Sequence, residues 1–135
     1  MTRLERARDL SARLAGIYHQ LENRAGFNKQ SLSTLLICLA FDDEVDAAKR
    51  MDVLATSFPV FLESDEGRVA GNMIEAYENR DAEAFTACKK TSTVLYLDNE
   101  IAKMAQGIVV RGERKVVDAA GNQETVQDEE DGGFL

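Results

Sequence analysis

The stretch from Phe58 to Phe85, FPVFLESDEGRVAGNMIEAYENRDAEAF, leaves this chain few folds to choose from. Val69, Met73, Ile74 and Tyr77 fall at the i, i+4, i+5, i+8 spacing of one helical face. Asn79-Arg80-Asp81 breaks the pattern, and Asp81 is placed to cap a second helix carrying Ala84, Phe85 and Cys88. A helix, a tight polar turn and a second helix make an αα-hairpin, with small Ala84 at the crossing and Phe85 filling the groove. Such a hairpin cannot bury its own apolar faces, so the remaining chain must stack on it.

The flanking sequence supplies the neighbours. Thr2 to about Asn23 reads as one helix whose inward stripe is Leu4, Ala7, Leu10, Leu14, Ile17, Tyr18 and Leu21, stopped by Gly26 as a C-cap. A second helix runs from about Asn28 to Phe41 with Leu32, Leu35, Leu36, Cys38 and Leu39 inward, apolar over so much of its circumference that neighbours on several sides are expected. After the polar turn Asp42-Asp43, a third helix carries Val45, Ala48, Met51, Val53 and Leu54 to about Ser57. A shift of 36 residues lays Ala40-Phe41-Asp42-Asp43 on Ala76-Tyr77-Glu78-Asn79, and Ala48 on Ala84. A period near that length, with small residues at helix crossings, is the tetratricopeptide-like pattern. Asp98 caps a last helix through Ile101, Met104 and Ile108. From Arg111 the periodicity fails, and glycines are scattered among charges up to the acidic run DEED and the apolar end Phe134-Leu135. The expected fold is all-α. Five or six antiparallel helices form a short right-handed solenoid or bundle over 1–110, with a disordered acidic tail over 111–135.

Charge narrows the function classes. The net charge is −8, yet residues 1–30 carry six Lys/Arg against three Asp/Glu, while residues 113–135 carry two against seven. A nucleic-acid binder needs a continuous basic surface, and this chain has none. Cys38 and Cys88 lie far apart on apolar faces, which fits buried reduced thiols better than a disulfide or a metal site. No signal peptide and no apolar run of membrane-spanning length is visible, so a soluble cytoplasmic protein is expected. His19 is the single histidine and has no nucleophile near it in sequence. No phosphate-cradling glycine loop, H-E-x-x-H or C-x-x-C occurs, so no enzyme and no cofactor is expected.

Four segments together carry a resemblance. FPVF at Phe58–Phe61, IEAYENRDAEAF at Ile74–Phe85, LYLDNEIAKMAQGIVV at Leu95–Val110 and the acidic tail with its bulky apolar end resemble the C-terminal portion of the soluble NSF attachment proteins, the gamma form more than the alpha form. The likeness extends back through YHQLEN at Tyr18–Asn23, covering nearly the whole chain but only the last part of the family's usual length. It implies an adaptor of helical hairpins that coats a SNARE helical bundle and recruits N-ethylmaleimide-sensitive factor, a hexameric AAA ATPase, leaving the protein peripheral to membranes through its partners. The ATPase-facing residues it implies are Asp43, Glu75, Glu78, Asp128, Glu129, Glu130 and Asp131, with Phe134 and Leu135 as an apolar end. Lys29 falls where the family faces the acidic SNARE bundle. Asn79 departs from the acid of the alpha form. By residue type alone, Asp43, Glu75 and Glu78 are a solvated solenoid edge with capping acids. A generic tetratricopeptide-like scaffold holding a peptide in its concave groove is the alternative reading.

Overall fold

The computed structural model describes residues 2–110, 116–117 and 123–124. Among them are eight helices: α1 (Arg3–Gln20), α2 (Arg24–Ala40), α3 (Glu44–Ser57), α4 (Pro59–Glu63), α5 (Asp65–Glu78), α6 (Ala82–Lys89), α7 (Ser92–Leu95) and α8 (Asn99–Gln106). The body is all-helical, as the periodicity requires. The stretch expected to leave the fold contains a two-residue antiparallel ladder, β1 (Val116–Val117) with β2 (Gln123–Glu124), pairing Val116 with Glu124 and Val117 with Gln123. Two β-branched residues in a row favour extended backbone there. The remainder of 111–135, including Asp128–Leu135, lies outside the described residues.

One turn design is used three times. Glu22, Asp42 and Arg80 adopt left-handed φ values of 58°, 62° and 58°, each just past a helix end. The residue after each caps the next helix: Asn23 accepts from the Gly26 amide, Asp43 from Asp46 and Asp81 from Ala84. The same three residues also close the helix behind them, donating to the carbonyls of Tyr18, Cys38 and Ala76. With the bonds from Glu22, Asp42 and Arg80 to His19, Leu39 and Tyr77, each turn is a Schellman motif fused to an N-cap.

This fusion corrects two expectations. Helix α2 starts at Arg24 rather than Asn28, because Asn23 caps it, and Gly26 lies in its first turn instead of ending α1. Glycine is needed at that position for another reason: a Cβ there would meet the Tyr18 ring at 2.7 Å, so it sets how closely α1 and α2 approach. The repeat offset is 38 rather than 36, since Asp42-Asp43 superposes on Arg80-Asp81. At that offset the buried Leu32, Leu35, Leu36, Cys38, Leu39 and Ala47 fall on the buried Ala70, Met73, Ile74, Ala76, Tyr77 and Phe85. Hairpin α2/α3 therefore repeats as α5/α6. The linker between them is stiffened by α4, which starts at Pro59, a residue suited to a helix's first position.

Helix α2 is the centre of the core. It packs against α1, α3, α5 and α8, which is why it is apolar all round. The N-terminal helix departs most from expectation. Its Ser11 and Ala15 are buried on α2, while Leu10, Leu14, Ile17 and Leu21 of the predicted inward stripe are exposed. The small face wins because Ser11 belongs to a buried network, 2.7 Å from Thr34 Oγ1 and accepting from Gln30 Nε2 at 2.7 Å. Val45 and Val53 of α3 are likewise exposed, with Ala47 taking the contact.

Candidate partner-binding surface

The polar turns converge at one end of the bundle. Tyr77 donates its hydroxyl to Asp42, and Arg80 Nη1 lies 3.0 Å from Glu44 Oε1, so the α2/α3 and α5/α6 turns are tied side by side. Tyr77 is almost fully buried, which fixes its hydroxyl and with it the turn it holds. Phe85 packs edge-on against the Tyr77 ring at 5.8 Å. The two helices α2 and α5 thus present their C-terminal ends, and the acids there, on a common edge.

The individual acids differ in how free they are. Glu75 and Glu78 are exposed one turn apart on α5 and make no ion pair among the described residues. Asp43 is half-buried, caps α3 through Oδ1 and stands 4.0 Å from Arg8 Nη1 through Oδ2. Its carboxylate is already engaged on both oxygens. Lys29 is exposed on the first part of α2, roughly 20 Å from the Asp42 turn at 1.5 Å per helical residue. Lys29 and the Asp43 turn therefore lie towards opposite ends of α2, with Glu75 and Glu78 on α5. Asp128, Glu129, Glu130, Asp131, Phe134 and Leu135 lie outside the described residues.

Behind Asp43 sits a charge cluster that residue spacing did not reveal. Asp46 Oδ2 accepts from Arg50 Nε at 2.8 Å, Arg8 Nη1 at 3.4 Å and Cys38 Sγ at 3.4 Å. Burial pushes the Asp46 carboxyl up, but the hydrogen bonds from Arg50 and Cys38 and the two guanidiniums override it and hold it below the ordinary carboxylate range. Burial, with Asp46 beside it, pushes the Cys38 thiol up to about 12. The cluster fixes α1 and α3 to the end of α2 and offers no reactive thiolate.

A second surface is concave. A groove of about 350 Å³ runs between α1 and α3 across α2, with Ala15, Gly16, Phe27, Leu35, Leu54 and Phe58 among its lining. His19, Phe27 and Phe58, which also line it, form an aromatic trio with ring centroids 4.9 to 5.6 Å apart. Small residues on α1 open this space, a consequence of the α1 face that the periodicity misassigned. Among the described residues no group of His, Cys, Asp and Glu could hold a metal ion, and no helix is long and apolar enough to cross a membrane.

The family model for the soluble NSF attachment protein matches residues 20–104. That span runs from the end of α1 through most of α8 and includes Lys29, Asp43, Glu75 and Glu78. The gamma-soluble NSF attachment protein of Dictyostelium discoideum is 31% identical over 94 residues, covering 70% of this chain. The chain spans 29% of the length of that relative.

Proposed function

This chain belongs to the soluble NSF attachment protein family, and from that membership we propose that it works as an adaptor in SNARE-complex disassembly during vesicle traffic. In this reading the acidic edge at the α2/α3 and α5/α6 turns, together with the tail, engages an NSF-type hexameric ATPase. The chain performs no catalysis itself and stays peripheral to membranes through its partners. The observation that carries the reading is the pairing of Tyr77 with Asp42 and of Arg80 with Glu44, which aligns two acidic turns into one edge. Glu75 and Glu78 are the free charges on that edge, and they contribute most of its pull on a basic partner. Asp43 contributes less, because Arg8 already offsets it. Asp128–Asp131 extend the acidic surface, and Phe134 with Leu135 supply an apolar end whose burial is worth about 1.5–3 kcal/mol per side chain. Lys29, at the other end of α2, faces the SNARE bundle.

The test is ATP turnover by the hexamer with immobilised adaptor. Glu75→Lys with Glu78→Lys should weaken binding, and more so at low salt, because exposed pairs are screened and worth about 0–1 kcal/mol each. Asp43→Asn keeps the N-cap and removes the charge, so it should change binding little. Phe134→Ala with Leu135→Ala should reduce turnover more than binding. Unchanged binding and turnover in both the Glu75/Glu78 reversal and the Phe134/Leu135 variant would remove the ATPase reading.

The groove between α1 and α3 favours a second reading, a scaffold that takes an apolar side chain of a peptide ligand. Pull-down with the ATPase's N-terminal domain separates the two. Capture that survives Gly16→Leu but not the Glu75/Glu78 reversal belongs to the adaptor. The opposite result belongs to the scaffold.

A further inference from the structure

Most buried polar side chains of this protein have partners. Among the described residues, Ser11, Ser33 and Thr34 are buried and hydrogen-bonded. Asn28 is only 8% exposed, and its carboxamide makes no hydrogen bond among the described residues. Ser31 also lacks one, but it carries a single hydroxyl and lines the groove between α1 and α3. The carboxamide is the heavier burden, with two N–H donors and a carbonyl acceptor to satisfy. Leaving such groups unmet in the interior opposes folding.

Asn28 lines a cleft of about 460 Å³ between the α1/α2 turn and the junction of α3 with α4. That is far more room than the ~30 Å³ share of one bridging water, and it is the size of a ligand pocket. Phe27, Phe58, Val60 and Phe61 give it an apolar wall. Arg24 lies one turn before Asn28 on the same face of α2, and Arg24 and Glu22 are both exposed in its lining. The walls come from residues 19–28 and 57–61, and of α1 only His19 contributes.

The chemistry of the lining selects among ligands. Glu22 and Arg24 are of opposite sign, which disfavours a strongly charged guest. A carboxylate would take the Asn28 N–H groups and leave the Asn28 carbonyl unmet beside a second acceptor. An extended peptide residue turns its own N–H and C=O to the same side, as in an antiparallel pair, and answers both halves of the carboxamide. We propose that this cleft binds an extended peptide segment. One residue's N–H and C=O pair with Asn28, and an apolar side chain packs on Phe27, Phe58, Val60 and Phe61. The proposal needs neither the ATPase reading nor the groove between α1 and α3. The groove shares His19, Phe27 and Phe58 with the cleft, but Gly16 lines the groove alone.

The experiment is an NMR titration of the full chain with N-acetyl-leucine N-methylamide as the probe, following the Asn28 side-chain NH2 signals. They should move saturably, with the millimolar affinity that a probe of this size allows. The ester analogue, in which oxygen replaces the leucine N–H, should bind roughly threefold more weakly or worse. So should the glycine counterpart, which lacks the side chain. Asn28→Leu should weaken binding about tenfold, read on the backbone amides of Phe27 and Val60, while the urea midpoint holds or rises. Val60→Asp, at an exposed position in the first turn of α4, should weaken binding and leave the fold intact. Gly16→Leu should leave binding unchanged. Asn28 signals that the probe does not move overturn the proposal and leave the cleft to water. Equal binding of the ester analogue, undiminished binding in Asn28→Leu or Val60→Asp, or loss of binding in Gly16→Leu overturns it as well.

Discussion

Lys89 and Gln106 each donate a side-chain hydrogen bond to the other's backbone carbonyl, Lys89 Nζ to Gln106 O at 3.0 Å and Gln106 Nε2 to Lys89 O at 2.9 Å. Lys89 Nζ also donates to Ile108 O at 3.0 Å and stands 5.7 Å above the Phe85 ring. The ammonium is half-buried, and burial pushes its pKa down. It satisfies carbonyls at the C-terminal end of α8, where a positive charge is favoured by the helix dipole. This clasp anchors the chain just before residue 111.

Lys89→Met keeps the aliphatic stem and removes the clasp. It should cost about 1–3 kcal/mol in urea unfolding, the range for hydrogen bonds made by a charged group. Amide exchange at Gly107 and Ile108 should accelerate, while Leu35 and Leu36 in α2 keep their global protection. If those two amides exchange at the wild-type rate, the clasp does not hold the end of α8.

The three left-handed turn residues make a matched set for testing strain. Arg80 earns its conformation by donating to Glu44 and to the Tyr77 carbonyl, at 3.0 and 3.3 Å. Asp42 accepts from Tyr77. Glu22 is exposed and makes no side-chain bond among the described residues. Glu22→Gly should therefore stabilise the fold by about 0.5–1 kcal/mol, as glycine relieves the left-handed strain. Arg80→Gly should be neutral or destabilising, since the Glu44 pair goes with it. Thermal unfolding of the two variants side by side decides the matter.

Among the described glycines, Gly67 is the one where an added Cβ would meet backbone most closely. A Cβ there would lie 1.9 Å from the Phe61 carbonyl oxygen and 2.9 Å from the Leu62 Cα, so α4 and α5 meet through bare backbone. Gly67→Ala must push them apart and disturb Phe61, which is buried at 1% exposure. A loss of about 1–3 kcal/mol is expected, the usual cost of overpacking. Gly71→Ala on the same helix meets only the end of the Met51 side chain at 3.8 Å and should be tolerated. Equal melting of both variants would contradict this crossing.

Much of the fold was legible because helix caps and core periodicity are local signals. Asp81 and Asp98 cap as their type and position indicate, and Leu32, Leu35, Leu36, Cys38 and Leu39 are buried as spaced. The failures came where tertiary partners decide. Spacing alone does not say whether α1 packs by its leucines or by Ser11 and Ala15. The buried hydrogen bonds to Thr34 and Gln30, residues far away in sequence, settle it. A left-handed residue that is not glycine gives no composition signal, so residue type places the turn at Gly26, about one helical turn after its true position at Glu22. Of the acidic edge, the family resemblance gave the candidates, while residue type alone read them as a solvated edge. The engagement of Asp43 by Arg8 needed α1 and α3 each to pack on α2.

The Cys38–Asp46 pair gives the protein opposite pH responses at the two ends of its range. Asp46 is held below its ordinary pKa in the fold, so its ionised form is favoured more there than in the unfolded chain. Its contribution is complete above the unfolded value of about 4 and is lost as pH falls through the folded one. Asp46→Asn should therefore destabilise near neutral pH, by about 1–3 kcal/mol for lost charged hydrogen bonds. The gap to wild type should close as the medium is acidified. Cys38 works in the other direction, because its folded pKa is raised from 9.0 to about 12. Its contribution is complete below the unfolded value and is lost as pH climbs from 9.0 towards 12. Cys38→Ala should flatten that alkaline loss. It should also leave native thiol titration unchanged near neutral pH, since the half-buried Cys88 is the thiol that a reagent reaches first. Urea midpoints of wild type, Asp46→Asn and Cys38→Ala across the pH range measure both effects. Parallel pH profiles for all three would show that the pair does not couple protonation to folding.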